Sequence, residues 1–299
     1  MRKIAALLLL LLPFFQGCED VIDAETTTQP PKLNVEALMR VDLGEDYVPV
    51  VVKVAETSNF FGEIPVTELE NIVIFTNLYD SQGDFVRTEF SYLYEEVPGS
   101  GIYVPDPNFT SDQRIPTFWL RDFRAEFELY ITHKGRNYFA ATSFAPSVPI
   151  ANLRQGTRTL NDPDDTEVAV RFTDDPARQN YYIFDFGFGN YLASSDSFYQ
   201  GRTFEFSYFY DQSFESGTEL EIGLLGADEQ FYNYMALLIE QSESSLDPFQ
   251  TPVATVRGNI FDVTGIDNVE ITDNVGRPDS FPLGYFAVVE EFRQTLTIR

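Results

Sequence analysis

The chain has 299 residues, of which 47 are Asp or Glu and 20 are Lys or Arg, for a net charge of −27 at pH 7. A surface so acidic repels phosphate backbones and excludes nucleic acid as a partner, while 43% hydrophobic content with 28 Phe and 16 Tyr excludes wholesale disorder. One Cys and one His exclude a disulfide framework, a cysteine zinc cluster and a multi-histidine metal site.

Arg2 and Lys3 precede an apolar stretch from Ile4 to Phe15, broken only by Pro13. Twelve residues are too few to span a bilayer core about 30 Å thick, so the stretch reads as a signal peptide over residues 1–17. Phe15-Gln16-Gly17-Cys18 then looks like a lipobox, with cleavage before Cys18 and acyl chains on that residue. Lipid is thereby the expected anchor. Acidic Glu19 and Asp20 resemble an export signal that sends lipoproteins outward to the cell surface; a periplasm-facing protein is the alternative. Residues 18–31, Thr-rich and ending in Pro30-Pro31, read as a flexible tether.

From Lys32 the pattern is β. Leu33, Val35, Ala37 and Met39 alternate with Asn34, Glu36 and Arg40, giving a half-buried strand. Val48–Val54 and Asn71–Tyr79 are further strands, and Ser81-Gln82-Gly83-Asp84 is a turn into Phe85-Val86-Arg87. Pro98-Gly99-Ser100-Gly101 turns into Ile102-Tyr103-Val104. Residues 125–142 form a hairpin that turns at His133-Lys134-Gly135-Arg136. The spacing predicts a sandwich over 32–148, a linker over 149–165 and a second β domain over 166–299. In the second domain Tyr182, Phe184, Phe186 and Phe188 share one strand face, opposite Ile183 and Asp185. Phe204, Phe206, Tyr208 and Tyr210 share another. The strand 219–225 leads to a helix at about 228–242, N-capped by Asp228, and strands near 253–260 and 285–298 follow. The fold class is therefore mainly β, two Ig-like sandwich units with one short helix in the C-terminal half.

Several segments resemble a Bacteroidota outer-membrane lipoprotein family known only as domain of unknown function 4249. They are Cys18-Glu19-Asp20-Val21-Ile22-Asp23, Pro31-Lys32-Leu33-Asn34-Val35-Glu36, Gly101-Ile102-Tyr103, and the hairpin with Gly135, Tyr138 and Ala140. Asp174-Asp175-Pro176, Asn180-Tyr181-Tyr182, Asn259-Ile260 and Leu283-Gly284-Tyr285-Phe286 complete the set. The resemblance spans essentially the whole chain after Gly17, with a long acidic interval from Asp262 to Asp279. It implies an accessory or substrate-capture lipoprotein beside a TonB-dependent β-barrel transporter of the SusC type. It implies no catalytic residues.

His133, placed at a hairpin turn, lacks the buried carboxylate that orients a catalytic histidine. Calcium is the one metal the sequence suggests. Asn161, Asp162, Asp164 and Asp165 form one oxygen-rich loop, and Asp267, Asn268, Asp273 and Asn274 another, though neither has EF-hand spacing. The alternating aromatic faces read as core, leaving Tyr181, Tyr191 and Phe209 as the aromatics expected to be exposed. Loops 81–84, 98–114 and 262–280 are the expected binding surface. A stand-alone surface binding module or adhesin, and a surface hydrolase using a carboxylate pair, are the alternatives to the transport role.

Overall fold

The computed structural model describes residues 31–57, 67–244, 256–266 and 281–299. Cys18, the second acidic loop with Asp267 and Asp273, and residues 253–255 of the expected strand near 253–260 lie outside them. Residues 256–260 are described and form no strand, the next one beginning only at Phe261. The described chain is mainly β, with two helices. Its first strands are β1 (Leu33–Val41), β2 (Val52–Glu56), β3 (Asn71–Tyr79), β4 (Phe85–Glu95) and β5 (Ile102–Pro105). A short helix α1 (Phe118–Asp122) precedes the hairpin β6 (Arg124–His133) and β7 (Arg136–Ala145). Then come β8 (Ile150–Gln155), β9 (Thr166–Thr173), β10 (Tyr181–Asp185), β11 (Tyr191–Ser195), β12 (Thr203–Tyr210) and β13 (Glu219–Ala227). Helix α2 (Glu229–Ser244), β14 (Phe261–Asp262) and the long β15 (Leu283–Thr297) follow.

In place of the first of two expected sandwiches there is a closed barrel. Strands β15, β1, β2, β5, β4, β3, β6 and β7 pair in that order, and β7 returns to β15 through Val288 with Phe144 and Val289 with Ala145. Alternation put one face of each strand inward. Val35, Met39, Ile74, Phe127, Leu129 and Phe286 fill the interior, so the barrel is a packed core. Closure is invisible to periodicity because it depends on pairings such as Asn34 with Leu283, about 250 residues apart.

β15 runs parallel to β1 over Leu283–Glu290 and then pairs antiparallel with β13 over Glu291–Thr297. That second half extends the sheet to β13, β10 and β11. The three-stranded sheet β12-β9-β8 faces it, and Phe172, Tyr182, Phe184, Phe186, Ile222 and Leu224 fill the space between. The second half of the chain is thus a sandwich that shares a strand with the barrel. Ile183, opposite the aromatic face, is also buried because α2 covers that side of the sheet together with Leu225, Phe231 and Tyr285. Asp228 caps α2 as expected, its Oδ1 accepting the Phe231 N–H at 2.7 Å. Phe188 departs from its predicted strand face. It sits in the turn between Gly187 and Gly189 at φ +56° and is 73% exposed.

The seam between β7 and β15 is held by a side chain. Buried Asn259 accepts the Phe286 N–H at 2.8 Å and donates to the carbonyls of Phe286 at 2.8 Å and Ala141 at 3.1 Å. One amide thus performs the ladder pairing that the splayed strands cannot make. Gly284, at φ +94°, lets β15 start flush against β1, since a Cβ there lies 1.9 Å from the Val35 carbonyl oxygen. At the junction of barrel and sandwich, Arg40 of β1 binds Glu291 of β15 through two nitrogens and Asp185 of β10 at 2.7 Å. Arg293 adds a bond to Glu291 at 2.7 Å. Burial pushes the Glu291 carboxyl up, but these bonds outweigh it and hold it below the ordinary glutamate range.

Asn259→Leu strands the buried Phe286 and Ala141 groups and is expected to lower stability by about 3 kcal/mol or more, read as a reduced urea midpoint. Arg40→Met removes the cation paired with Asp185 and leaves Glu291 with Arg293 alone, and should cost about 3 kcal/mol. A loss under 0.5 kcal/mol in either variant contradicts these roles.

Candidate functional site: an aromatic groove at the far end of the barrel

The pairing registers fix which loops share an end. Lys32, the end of β2 at Glu56, the 98–101 turn and the β6–β7 turn lie at one end of the barrel, where the chain enters from residue 31. The 81–84 turn and α1 lie at the other, so loops 81–84 and 98–101 do not form one surface. Residues 263–266 sit beside the β6–β7 turn, where the Val263 N–H donates to the Asn137 carbonyl at 2.8 Å.

His133 is buried at the entry end, contrary to its expected exposure. The hairpin end folds against the end of β2 and the segment before β3. Nδ1 lies 3.1 Å from the Glu68 carbonyl and Nε2 3.0 Å from Glu56 Oε1. Lys134 Nζ also reaches both Glu56 oxygens at 2.8 Å. Burial pushes the Glu56 carboxyl up, yet the bonds from Lys134 and His133 outweigh it and hold it low. With both ring nitrogens against protein acceptors, the imidazole is a tie between elements and has no nitrogen open to a substrate.

The oxygen-rich loop at 161–165 also turns its groups inward. One oxygen of Asp165 accepts the N–H groups of Leu160, Asn161 and Asp162, which hold its carboxyl below the usual range. Asp162 Oδ1 accepts the Asp164 N–H at 3.0 Å. Among the described residues no group of three or more His, Cys, Asp or Glu side chains is placed to hold a metal ion. The three aromatics expected outside are each half-covered. Tyr181 packs on Tyr232 of α2 with ring centres 5.0 Å apart, Tyr191 joins the cluster under α2, and Arg158 lies over Phe209.

The arrangement most suited to a ligand was not singled out by residue in the sequence, although part of it falls in the expected 98–114 loop. Residues 45–48 and 115–117 zip together at the far end. Tyr47 bridges Pro116, the Val48 N–H donates to the Ile115 carbonyl at 2.8 Å, and the Thr117 N–H to the Asp46 carbonyl at 3.1 Å. This places Tyr47 next to α1 and its Trp119, the one Trp of the chain. Between them and β4 lies an open groove of about 470 Å³. Phe109 stacks on Tyr92 at 4.6 Å and 7°, and Phe109 and Phe90 are 44% and 48% exposed.

Polar groups in the wall are fixed in place. Arg114 makes a two-pronged bond to Asp112, at 3.0 Å to Oδ1 and 2.7 Å to Oδ2, and lies 3.8 Å above the Tyr47 ring. These bonds, with the Arg114 N–H, hold the Asp112 carboxyl at about 2. Buried Gln113 accepts the Tyr92 N–H at 2.8 Å and donates to Ser111, so the loop is pinned to β4. The signal that could have found this site is the aromatic content of an otherwise polar Pro- and Asp-rich stretch, from Pro105 through Phe109 to Trp119.

The profile of the family described as "Domain of unknown function (DUF4249)" matches residues 19–269. The chain belongs to this family. No curated protein matches it. Among solved structures, the crystal structure of red sea bream transglutaminase is similar over 92% of this chain and 32% of that one, at 8% identity and TM-score 0.22. The chain therefore spans about a third of that protein, and a likeness this weak carries no argument about fold or function. Among the described residues no helix is long and apolar enough to cross a membrane.

A hydrolase of two carboxylates needs one with its proton affinity raised inside a cleft. Glu290 is a carboxyl that burial pushes up, against the Ser147 N–H bond and Arg178. It lies at the junction of barrel and sandwich and lines no part of the groove. Its ionisation therefore costs stability as pH rises from the ordinary glutamate value of 4.5 through its raised native value. Glu290→Gln keeps the acceptor for Ser147 and should melt higher than wild type at pH 8, the gap closing below pH 4.5. An equal gap at both pH values contradicts the assignment.

Proposed function

We propose that this DUF4249 member is a non-enzymatic capture subunit, held on the outer membrane by lipid at Cys18 and facing outward beside a SusC-type TonB-dependent transporter. The observation that carries the capture reading is the position of the groove. The chain enters the barrel at Lys32, whereas the groove lies between the middle of β4 and the Tyr47 and Trp119 segments of the opposite end. A tether ending at residue 31 then leaves the Tyr47–Trp119 wall of the groove at the end remote from the attachment point. Acyl chains gain about 0.8 kcal/mol per buried CH₂, enough for several to retain a chain without a spanning helix. Confinement to the membrane layer raises the effective concentration of the lipoprotein at a membrane partner, so a weak contact suffices for transfer.

Intact mass spectrometry of the membrane-purified protein is expected to show a chain beginning at Cys18 and carrying diacylglycerol. Cys18→Ser should move the protein out of the membrane fraction, and purification in mild detergent should recover a β-barrel transporter. An unacylated thiol at Cys18 defeats the anchor. Recovery of the acylated protein without any barrel partner leaves a stand-alone surface binding module.

A further inference from the structure

We infer that the groove framed by Tyr47, Phe90, Tyr92, Phe109, Arg114 and Trp119 binds a neutral saccharide, a ligand class that deepens the capture reading and rests on it. The ring faces and the polar groups are interleaved within one open site of about 470 Å³. That is a size for one or two sugar rings rather than a folded partner. A pyranose presents an apolar C–H face and a rim of hydroxyls. The first matches exposed aromatic faces at Phe90 and Phe109, and the second matches a preoriented guanidinium–carboxylate pair.

Charge narrows the class. Arg114 is neutralised by Asp112, and Glu89 at the groove edge is paired with Arg87 at 2.6 Å. No net positive charge faces the opening, and the chain's −27 repels anions. Peptide addition to the strand edge is blocked at Tyr92. Its N–H donates to Gln113 and its carbonyl accepts the Asp106 N–H at 2.9 Å. Preorganisation points the same way, because Tyr47 under the guanidinium and Phe109 against Tyr92 leave few rotamers to freeze when a ligand arrives.

Trp119 is the only Trp, so its emission reports on this site alone. The detergent-solubilised lipoprotein, without transporter, is titrated with neutral di- to tetrasaccharides: α- and β-linked glucans, xylans, mannans and galactans. Tri-alanine and tri-tyrosine serve as peptide probes. At least one saccharide is expected to shift Trp119 emission saturably, with a matching heat by calorimetry. Phe109→Ala and Arg114→Ala should each weaken that binding about tenfold or more, whereas Phe85→Ala, exposed on β4 outside the groove, should leave it unchanged. Circular dichroism of each variant separates lost binding from lost fold. Silence across the saccharide panel from folded protein overturns the saccharide class. Saturable peptide binding that Phe109→Ala abolishes overturns it too, while leaving the capture reading standing. Saccharide binding indifferent to Phe109→Ala and Arg114→Ala removes the groove as the site.

Discussion

Closure of the barrel between β7 and β15 is the constraint on which the remaining structure depends. Those two strands exchange only two residue pairs, Val288 with Phe144 and Val289 with Ala145. Unpaired backbone at such a seam is costly when buried, and the Asn259 amide supplies partners where the strands diverge. Gly284 serves the same seam from the other side, allowing β15 to lie against β1. Once β15 is fixed, its second half templates the sheet β13-β10-β11, and α2 finds a face to cover. The groove inherits its shape from that order, because the 45–48 segment that carries Tyr47 begins where β1 leaves β15.

Much of this was legible as local pattern. The alternation from Leu33 and the strand at 71–79 lie where period places them, the hairpin expected over 125–142 spans 124–145, and Asp228 caps its helix as turn chemistry predicts. Asn259 and Gly284 fall in segments whose resemblance to the DUF4249 family was visible from the residues, although their work at the seam was not. Patterns fail where a surface is covered twice or a turn intervenes. Ile183 sits opposite a core face yet is buried, because α2 seals the second side. Phe188 continues an aromatic alternation, but the flanking glycines bend the chain out of the strand. His133 lies beside a turn that folds back on β2, so turn position did not mean exposure.

The candidate site was only partly readable for a related reason. Arg114 and Asp112 are neighbours in sequence, and their pairing could be guessed. Tyr47, Phe90 and Trp119 come from three separate segments, united by the 45–48 and 115–117 zipper and by β4. Side chains that a local reading treats as scattered surface aromatics thus become walls of one concavity. The carboxylates that dominate the composition contribute differently. Asp165, Glu56 and Glu291 bind backbone N–H groups or cations within their own structural ties. An acidic chain can thus use its carboxylates as structural ties.

β15 also has a consequence for biogenesis. It completes the barrel by pairing with β1, about 250 residues earlier, and supplies the shared strand of the sandwich. Neither lobe can assemble in full until that late segment is available. Topologies dominated by such distant pairings form slowly. A chain of this design can close its barrel and complete its second sheet only late, once residues 283–297 are in place.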